Sequence, residues 1–190
     1  MDFSFKDTNM TMKKTVLRIN DSYSLELRYE DISRFSDSIL ILLYHGQETM
    51  LYEDFLYFFA ECMLGSIKNK HHLSKKDKIG AVGKWMDYFE RYSDSYIVSY
   101  QDQIDETYNA FFISGTDYGL FIYEYDSVTY LEIDRTYSGY LKSAGIIQKP
   151  IRYYYNNPEN YRVLFTSVNE DTVSQWQKVL QEIYEFTRIR

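Results

Sequence analysis

The chain is poor in the residues that build covalent or rigid frameworks. Of 190 residues, one is cysteine and two are proline. A lone Cys62 excludes an internal disulfide, and its place in the apolar run FLYFFAECML predicts a buried, inert thiol. No apolar run is long enough to span a bilayer: ILILLY at 39–44 falls far short of the roughly 20 residues a helix needs. The first residues, MDFSFKDTNMTMKK, lack a basic stretch followed by an apolar one, so no signal peptide is expected and a cytoplasmic protein is predicted. Motif chemistry is missing as well. There is no Gly-rich phosphate loop, zinc-ligand spacing, nucleophile elbow or His-Glu helix motif, which predicts a protein that is not an enzyme and needs no cofactor or metal.

Bases are missing from one long interval. From Tyr92 to Asp134 there is no Lys or Arg, while nine acids occur: Asp94, Asp102, Asp105, Glu106, Asp117, Glu124, Asp126, Glu132 and Asp134. Residues 66–78, SIKNKHHLSKKDK, concentrate five lysines against one acid and leave a net charge of −11 on the rest of the chain. A solvated face usually mixes the two signs. A surface of one sign repels phosphates and draws a basic partner, fastest at low salt. The reading is therefore no direct binding of nucleic acid, with the lysine segment a solvated connection.

What the chain has in excess is tyrosine, 21 residues against two tryptophans. Tyrosine fills strand faces, and it is also enriched at interfaces because it joins a rigid surface to a polar tip. The densest stretch, IRYYYNNPENY at 151–161, runs three tyrosines into an Asn-Pro turn. In a strand-like Tyr153–Tyr155 the middle ring points opposite to its neighbours, which predicts a buried Tyr154 between Tyr153 and Tyr155 facing a partner.

With 45% hydrophobic and 26% charged residues, the chain suits one globular domain over 1–190. KTVLRIN at 14–20 and SYSLELRYE at 22–30 read as strands, the second with Tyr23, Leu25, Leu27 and Tyr29 on one face. ILILLYH at 39–45 is apolar throughout and suits a central strand covered on both faces. From Met50 to Lys68 the spacing of Leu51, Phe55, Phe58, Phe59, Met63 and Ile67 predicts a helix, with Thr49 as N-cap and Glu53 and Asp54 in its first turn. IGAVGKWMDYFERY predicts a second helix, and SYIVSYQ, NAFFISG, YGLFIYEY, VTYLEIDRTY and RVLFTSV predict strands with turns at Gly115–Asp117 and Asp126–Ser127. Residues 138–162 read as irregular, and the segment from Asn169 predicts a closing amphipathic helix. The pattern is α+β: a mainly antiparallel sheet packed against helices on one side, with a C-terminal amphipathic helix.

The remaining chemistry is sparse. His71 and His72 lie among lysines and read as a solvated cap at a helix end, and His45 closes a strand where a general base could stand. Glu132 and Asp134, two residues apart, fall on one face of a strand, yet without further ligands they predict no metal site.

The base-free stretch YSDSYIVSYQDQIDETYNAFFISGTDYGLFIYEYDSVTYLEID, the single cysteine, the absent signal peptide and the short α+β layout resemble the small, acidic, aromatic-rich immunity proteins of bacterial polymorphic and contact-dependent toxin systems. The likeness is one of type, carried by the whole chain. It implies an inhibitor that neutralises a cognate basic toxin, often a nuclease, by presenting acids where the toxin expects phosphate. In this chain Asp102, Asp105, Glu106, Asp117 and Asp126 supply the charged contacts. Tyr118, Tyr123, Tyr125, Tyr153 and Tyr155 supply the anchoring area. Three other readings stand beside it: a phage-encoded inhibitor of a nuclease-based defence, which would use the same acidic surface; a small enzyme or ligand-binding domain with a pocket near His45; and a structural or regulatory module that self-associates through exposed tyrosines.

Overall fold

The computed structural model describes residues 12–68, 71–73, 117–135 and 161–189. Four strands come first, β1 (Lys13–Arg18), β2 (Tyr23–Tyr29), β3 (Asp37–Tyr44) and β4 (Gln47–Phe55), and they pair in that order as an antiparallel meander. Helix α1 (Leu56–Lys68) follows directly. A second sheet holds β5 (His71–Leu73), β6 (Tyr118–Tyr125), β7 (Val128–Arg135) and β8 (Arg162–Val168), also in chain order. Among the described strands β5–β6 is parallel and the other pairs are antiparallel. Helix α2 (Glu170–Ile189) closes the described chain. The α+β class and the C-terminal helix match the sequence reading, while the strands divide between two sheets. The expected helix at 79–92, the strands SYIVSYQ and NAFFISG, and the irregular stretch lie outside the described residues, apart from Tyr161 and Arg162.

Two tight turns set the registers. Tyr44 faces Gln47 and Tyr125 faces Val128, so each hairpin has a two-residue loop. His45 and Gly46 have φ of 47° and 80°, and Asp126 and Ser127 have 47° and 64°. Both central residues left-handed is the signature of the type I′ turn, whose twist matches that of the flanking strands. The first turn overturns the helix expected from Met50. Its register commits Gln47–Phe55 to β4, so Thr49 caps nothing and Glu53 and Asp54 are strand residues. Spacing misled here because residues four apart share a face in a regular strand as well as in a helix; in β4 the register shift at Leu40/Ile41 then parts the buried Leu51 from the exposed Phe55. α1 begins only at Leu56, whose N–H donates to the Ser36 carbonyl at 2.9 Å and is thereby satisfied by the β2–β3 loop. His71 and His72 sit in β5 and not in a helix end, and Ser66 and Ile67 of the lysine segment are buried in α1.

α2 starts as its sequence dictates. Asn169 Oδ1 accepts from the Thr172 N–H at 2.7 Å, and Glu170 and Asp171 occupy the positive end of the helix dipole. Its apolar stripe of Val173, Trp176, Leu180 and Ile183 joins one continuous core with Leu25, Leu27, Leu40 and Leu42 of the first sheet. Phe59 and Met63 of α1 and Leu120, Ile122, Leu131 and Ile133 of the second sheet belong to the same core. The Trp176 indole N–H donates to the Arg18 carbonyl at 2.9 Å, so the large apolar ring is buried with its polar atom satisfied. On the far face of the first sheet, Glu26 is buried between Lys14 at 3.3 Å and Arg28, and Arg28 also grips Glu48 with two nitrogens. This ladder runs across the apolar central strand, where Ile41 is buried. The second face of β3 is thus covered by charged side chains with long apolar stems.

Ser127 is an L-residue with a side chain at φ 64°, a conformation that costs such residues roughly 1–2 kcal/mol. Ser127→Gly is expected to stabilise the fold by about 1 kcal/mol, less what the freer unfolded chain returns. Urea denaturation measures it; a destabilised variant would mean that the serine hydroxyl holds the turn.

Candidate functional site

The β6–β7 hairpin carries most of the described candidate residues, and both of its faces are buried. Leu120, Ile122, Leu131 and Ile133 point into the main core. The opposite face holds Phe121, Tyr123, Glu132 and Asp134, all completely buried. Aromatic rings cross the strands on this side: Tyr123 stacks on Tyr130 at 6.0 Å, and Tyr130 stacks on Phe165 at 5.3 Å with planes 8° apart. The Arg162 guanidinium then lies 5.1 Å from the Phe165 ring centre. Cross-strand rings of this kind account for part of the tyrosine content, since each side chain supports its neighbour on the next strand.

Within this face two carboxyl groups share one environment. The Tyr123 hydroxyl donates to Glu132 Oε2 at 2.8 Å. Asp134 lies two residues along β7 and opposite Arg162 in the ladder. Burial pushes the Asp134 carboxyl up to about 10, the neighbouring Glu132 adds to the rise, and Arg162 pulls the other way. At neutral pH Asp134 therefore keeps its proton. Such an arrangement can store a proton. Completely buried, it does not offer that proton to a molecule in solvent.

The predicted site residues separate in the structure. Asp126 is exposed at the hairpin tip, and Tyr125 beside it is half-buried. Asp117 and Tyr118 stand at the other end, roughly 24 Å away along the extended strand. Tyr118 packs against the main core, on the same side as Leu120 and Ile122. Tyr123 is 0% exposed and bonded to Glu132, which corrects its expected role as a surface anchor. Strand parity in the sequence already separates Tyr118 from Tyr123; what it lacks is a sign that the second face is also covered. Asp102, Asp105, Glu106, Tyr153 and Tyr155 lie outside the described residues, as does Tyr154.

A groove of about 330 Å³ opens beside His45, at the end of the first sheet, between the β1–β2 and β3–β4 turns. Arg18, Asp21, Tyr23 and Leu43 line it with His45. Its charged wall is the Arg18–Asp21 pair at 2.8 Å, and both side chains are largely in solvent. The His45 ring lies against Tyr44 at 4.3 Å. This places His45 in an exposed turn at the rim of an open groove. Cys62 is half-buried, and burial, then the carboxylates of Glu61 and Asp54, push its thiol up to about 11, so it stays protonated at neutral pH.

No family model, no curated protein and no solved structure matches the chain. The class that its architecture defines is α+β: the described residues form two antiparallel-rich sheets sharing a core with two helices. Among the described residues no helix is long and apolar enough to cross a membrane.

The carboxyl pair generates a pH prediction with a definite sign. Asp134 sits at about 10 in the folded protein against an ordinary value of 3.8. Between these values the folded state holds one proton more than the unfolded state, so stability is greatest below the lower value and falls as pH rises toward the upper one. Asp134→Asn keeps the shape and a donor toward Glu132 without the ionisable proton. The variant is expected to melt higher than the native chain at pH 8, with the gap closing toward pH 4. Melts that are lower at every pH would show that Asp134 is ionised and paired in the fold.

Proposed function

We propose that this protein is an inhibitor that binds and neutralises a basic partner protein, in the manner of the immunity proteins that bacteria pair with toxins. The carrying observation is the absence of Lys and Arg between Tyr92 and Asp134. The described part of that interval brings Asp126 to the exposed tip of a rigid hairpin, with Glu124 half-buried next to it. A negative edge on a stiff element speeds encounter with a cationic surface and disfavours nucleic acid. The partner is a toxin, with nuclease chemistry favoured because acids mimic phosphate. A phage-encoded inhibitor of a nuclease defence would use the same surface against a different cationic enzyme.

A second reading, a small-ligand domain, is favoured by the groove at His45, whose volume lies at the small end of ligand sites. Saturable shifts of the His45 ring protons on titration with small carboxylates or phosphates would support it.

Co-purification from the native host identifies the partner, and stopped-flow association then tests the electrostatics. The rate constant is expected to fall by roughly tenfold or more from low to high salt. A flat dependence would sink the charge argument.

A further inference from the structure

The acidic hairpin supplies charge but little exposed apolar area, because Tyr123 is buried and Tyr118 packs on the core. Steering without an anchor gives fast encounter and fast release. The largest accessible aromatic surface among the described residues lies elsewhere, where the β2–β3 loop meets the β4–α1 junction. There Phe35 is 72% exposed, Phe55 45% and Phe58 46%. Three phenylalanines open to water within one corner are the kind of patch that marks an interaction surface.

The corner is built to hold its shape. Phe35 meets Phe55 edge-to-face at 6.0 Å. The Arg34 guanidinium lies 5.8 Å from the Phe35 ring centre and 5.1 Å from that of Tyr57. Tyr57 in turn stacks on Tyr184 of α2 at 5.4 Å and donates its hydroxyl to Glu61 at 3.1 Å. The loop backbone is pinned as well: the Asp31 N–H donates to Ser36 Oγ at 3.3 Å, and the Ser36 carbonyl accepts from Leu56. Rings fixed before contact lose little entropy on binding, which is what distinguishes an anchor from an incidental exposed side chain.

Charge decides the occupant. From Glu30 to Glu61 the chain has seven acids and one base, Arg34. Asp37 stands directly opposite Phe55 in the β3–β4 ladder, and Glu53 precedes Phe55 by two residues on β4. Both are exposed, and among the described residues neither makes an ion pair. An apolar plate with a rim of uncompensated acids fits a partner that carries an aliphatic or aromatic side chain on a basic surface.

We infer that this corner is the anchor of the interface: Phe35, Phe55 and Phe58 receive an apolar side chain of a cationic protein, while Asp37 and Glu53 meet its flanking bases. The inference rests on the inhibitor reading and assigns it a second contact, separate from the hairpin tip. Its test does not need the native partner. The probes are an amphipathic helical peptide of lysine and leucine, an oligolysine of equal length, and the matching glutamate–leucine peptide.

Titrated into the full chain and followed by NMR, the lysine–leucine peptide is expected to shift the Phe35, Phe55 and Phe58 signals. Phe35→Ser and Phe55→Ser should each weaken it at least tenfold while leaving the melting temperature within about two degrees, since neither ring is core. Oligolysine should bind markedly less, and the glutamate–leucine peptide not at all. Equal binding of the two leucine peptides would overturn the charge complementarity. Lysine–leucine binding at Asp126, or binding indifferent to Phe35→Ser, would overturn the anchor and leave the inhibitor reading standing on its salt series. Self-association of the native chain that is abolished by Phe35→Ser would assign the corner to a second copy of this chain and overturn the inference.

Discussion

β7 is the strand on which the architecture turns, because both of its faces are inside. Leu131 and Ile133 complete the core shared by two sheets and two helices, and Glu132 and Asp134 fill the other side with carboxyl groups. A buried charge costs several kcal/mol unless it is paired or discharged. This strand uses both remedies at adjacent positions. Glu132 is supported by the Tyr123 hydroxyl, and Asp134 escapes the cost by keeping its proton. The rings that flank the pair, Tyr130 and Phe165, exclude water and so maintain the low-dielectric setting that raises Asp134 in the first place.

The two ends of β7 transmit this constraint outward. At the start, the buried Thr129 donates to Glu170 in the first turn of α2 at 2.6 Å, fastening the helix to the hairpin. At the far end, the Arg135 N–H donates to the Tyr161 carbonyl, joining the strand to the entry of β8. The ladder slips there, with Ile133 opposite Leu164 but Asp134 opposite Arg162. A bulge at that step turns the bulged strand more sharply. It also sets a guanidinium across from the acid that most needs a counter-charge. Arg162 thus acts on Asp134 through its charge.

Much of this was legible in the sequence where a single period dominated. The alternation of Leu25, Leu27 and Tyr29, the Asp126–Ser127 turn and the stripe of Val173, Trp176, Leu180 and Ile183 each have one reading, and each stands. Leu51 and Phe55 satisfied two periods at once, and the His45–Gly46 turn, a non-local fact about where β3 ends, decided between them. The candidate site was harder. Acids are ordinarily taken as surface residues, so Glu132 and Asp134 read as part of an acidic surface, although both are buried, as Glu26 is in the first sheet. Nothing local in EID or LEL signals a cover on the polar face. That information resides in Arg28 and Glu48 for one sheet and in Tyr123, Tyr130 and Phe165 for the other.

Separating buried from exposed acids changes where electrostatics act. Of the acids in the base-free interval, Glu132 and Asp134 are completely buried and Asp134 keeps its proton at neutral pH, so neither presents charge at the surface. Exposed acids stand instead at Asp126 and, between Glu30 and Glu61, at Asp37 and Glu53. Those two regions differ in what accompanies the charge. The hairpin tip pairs it with a rigid turn and modest area, whereas the β4–α1 corner pairs it with open phenylalanine rings. Long-range attraction depends only on charge and sets how often a partner arrives. Residence depends on desolvated apolar area and sets how long it stays. A patch with acids beneath its rings would have to bury them, at the same desolvation cost that Asp134 avoids by remaining protonated. Placing rings at the centre and acids at the rim of the corner lets each act without that cost.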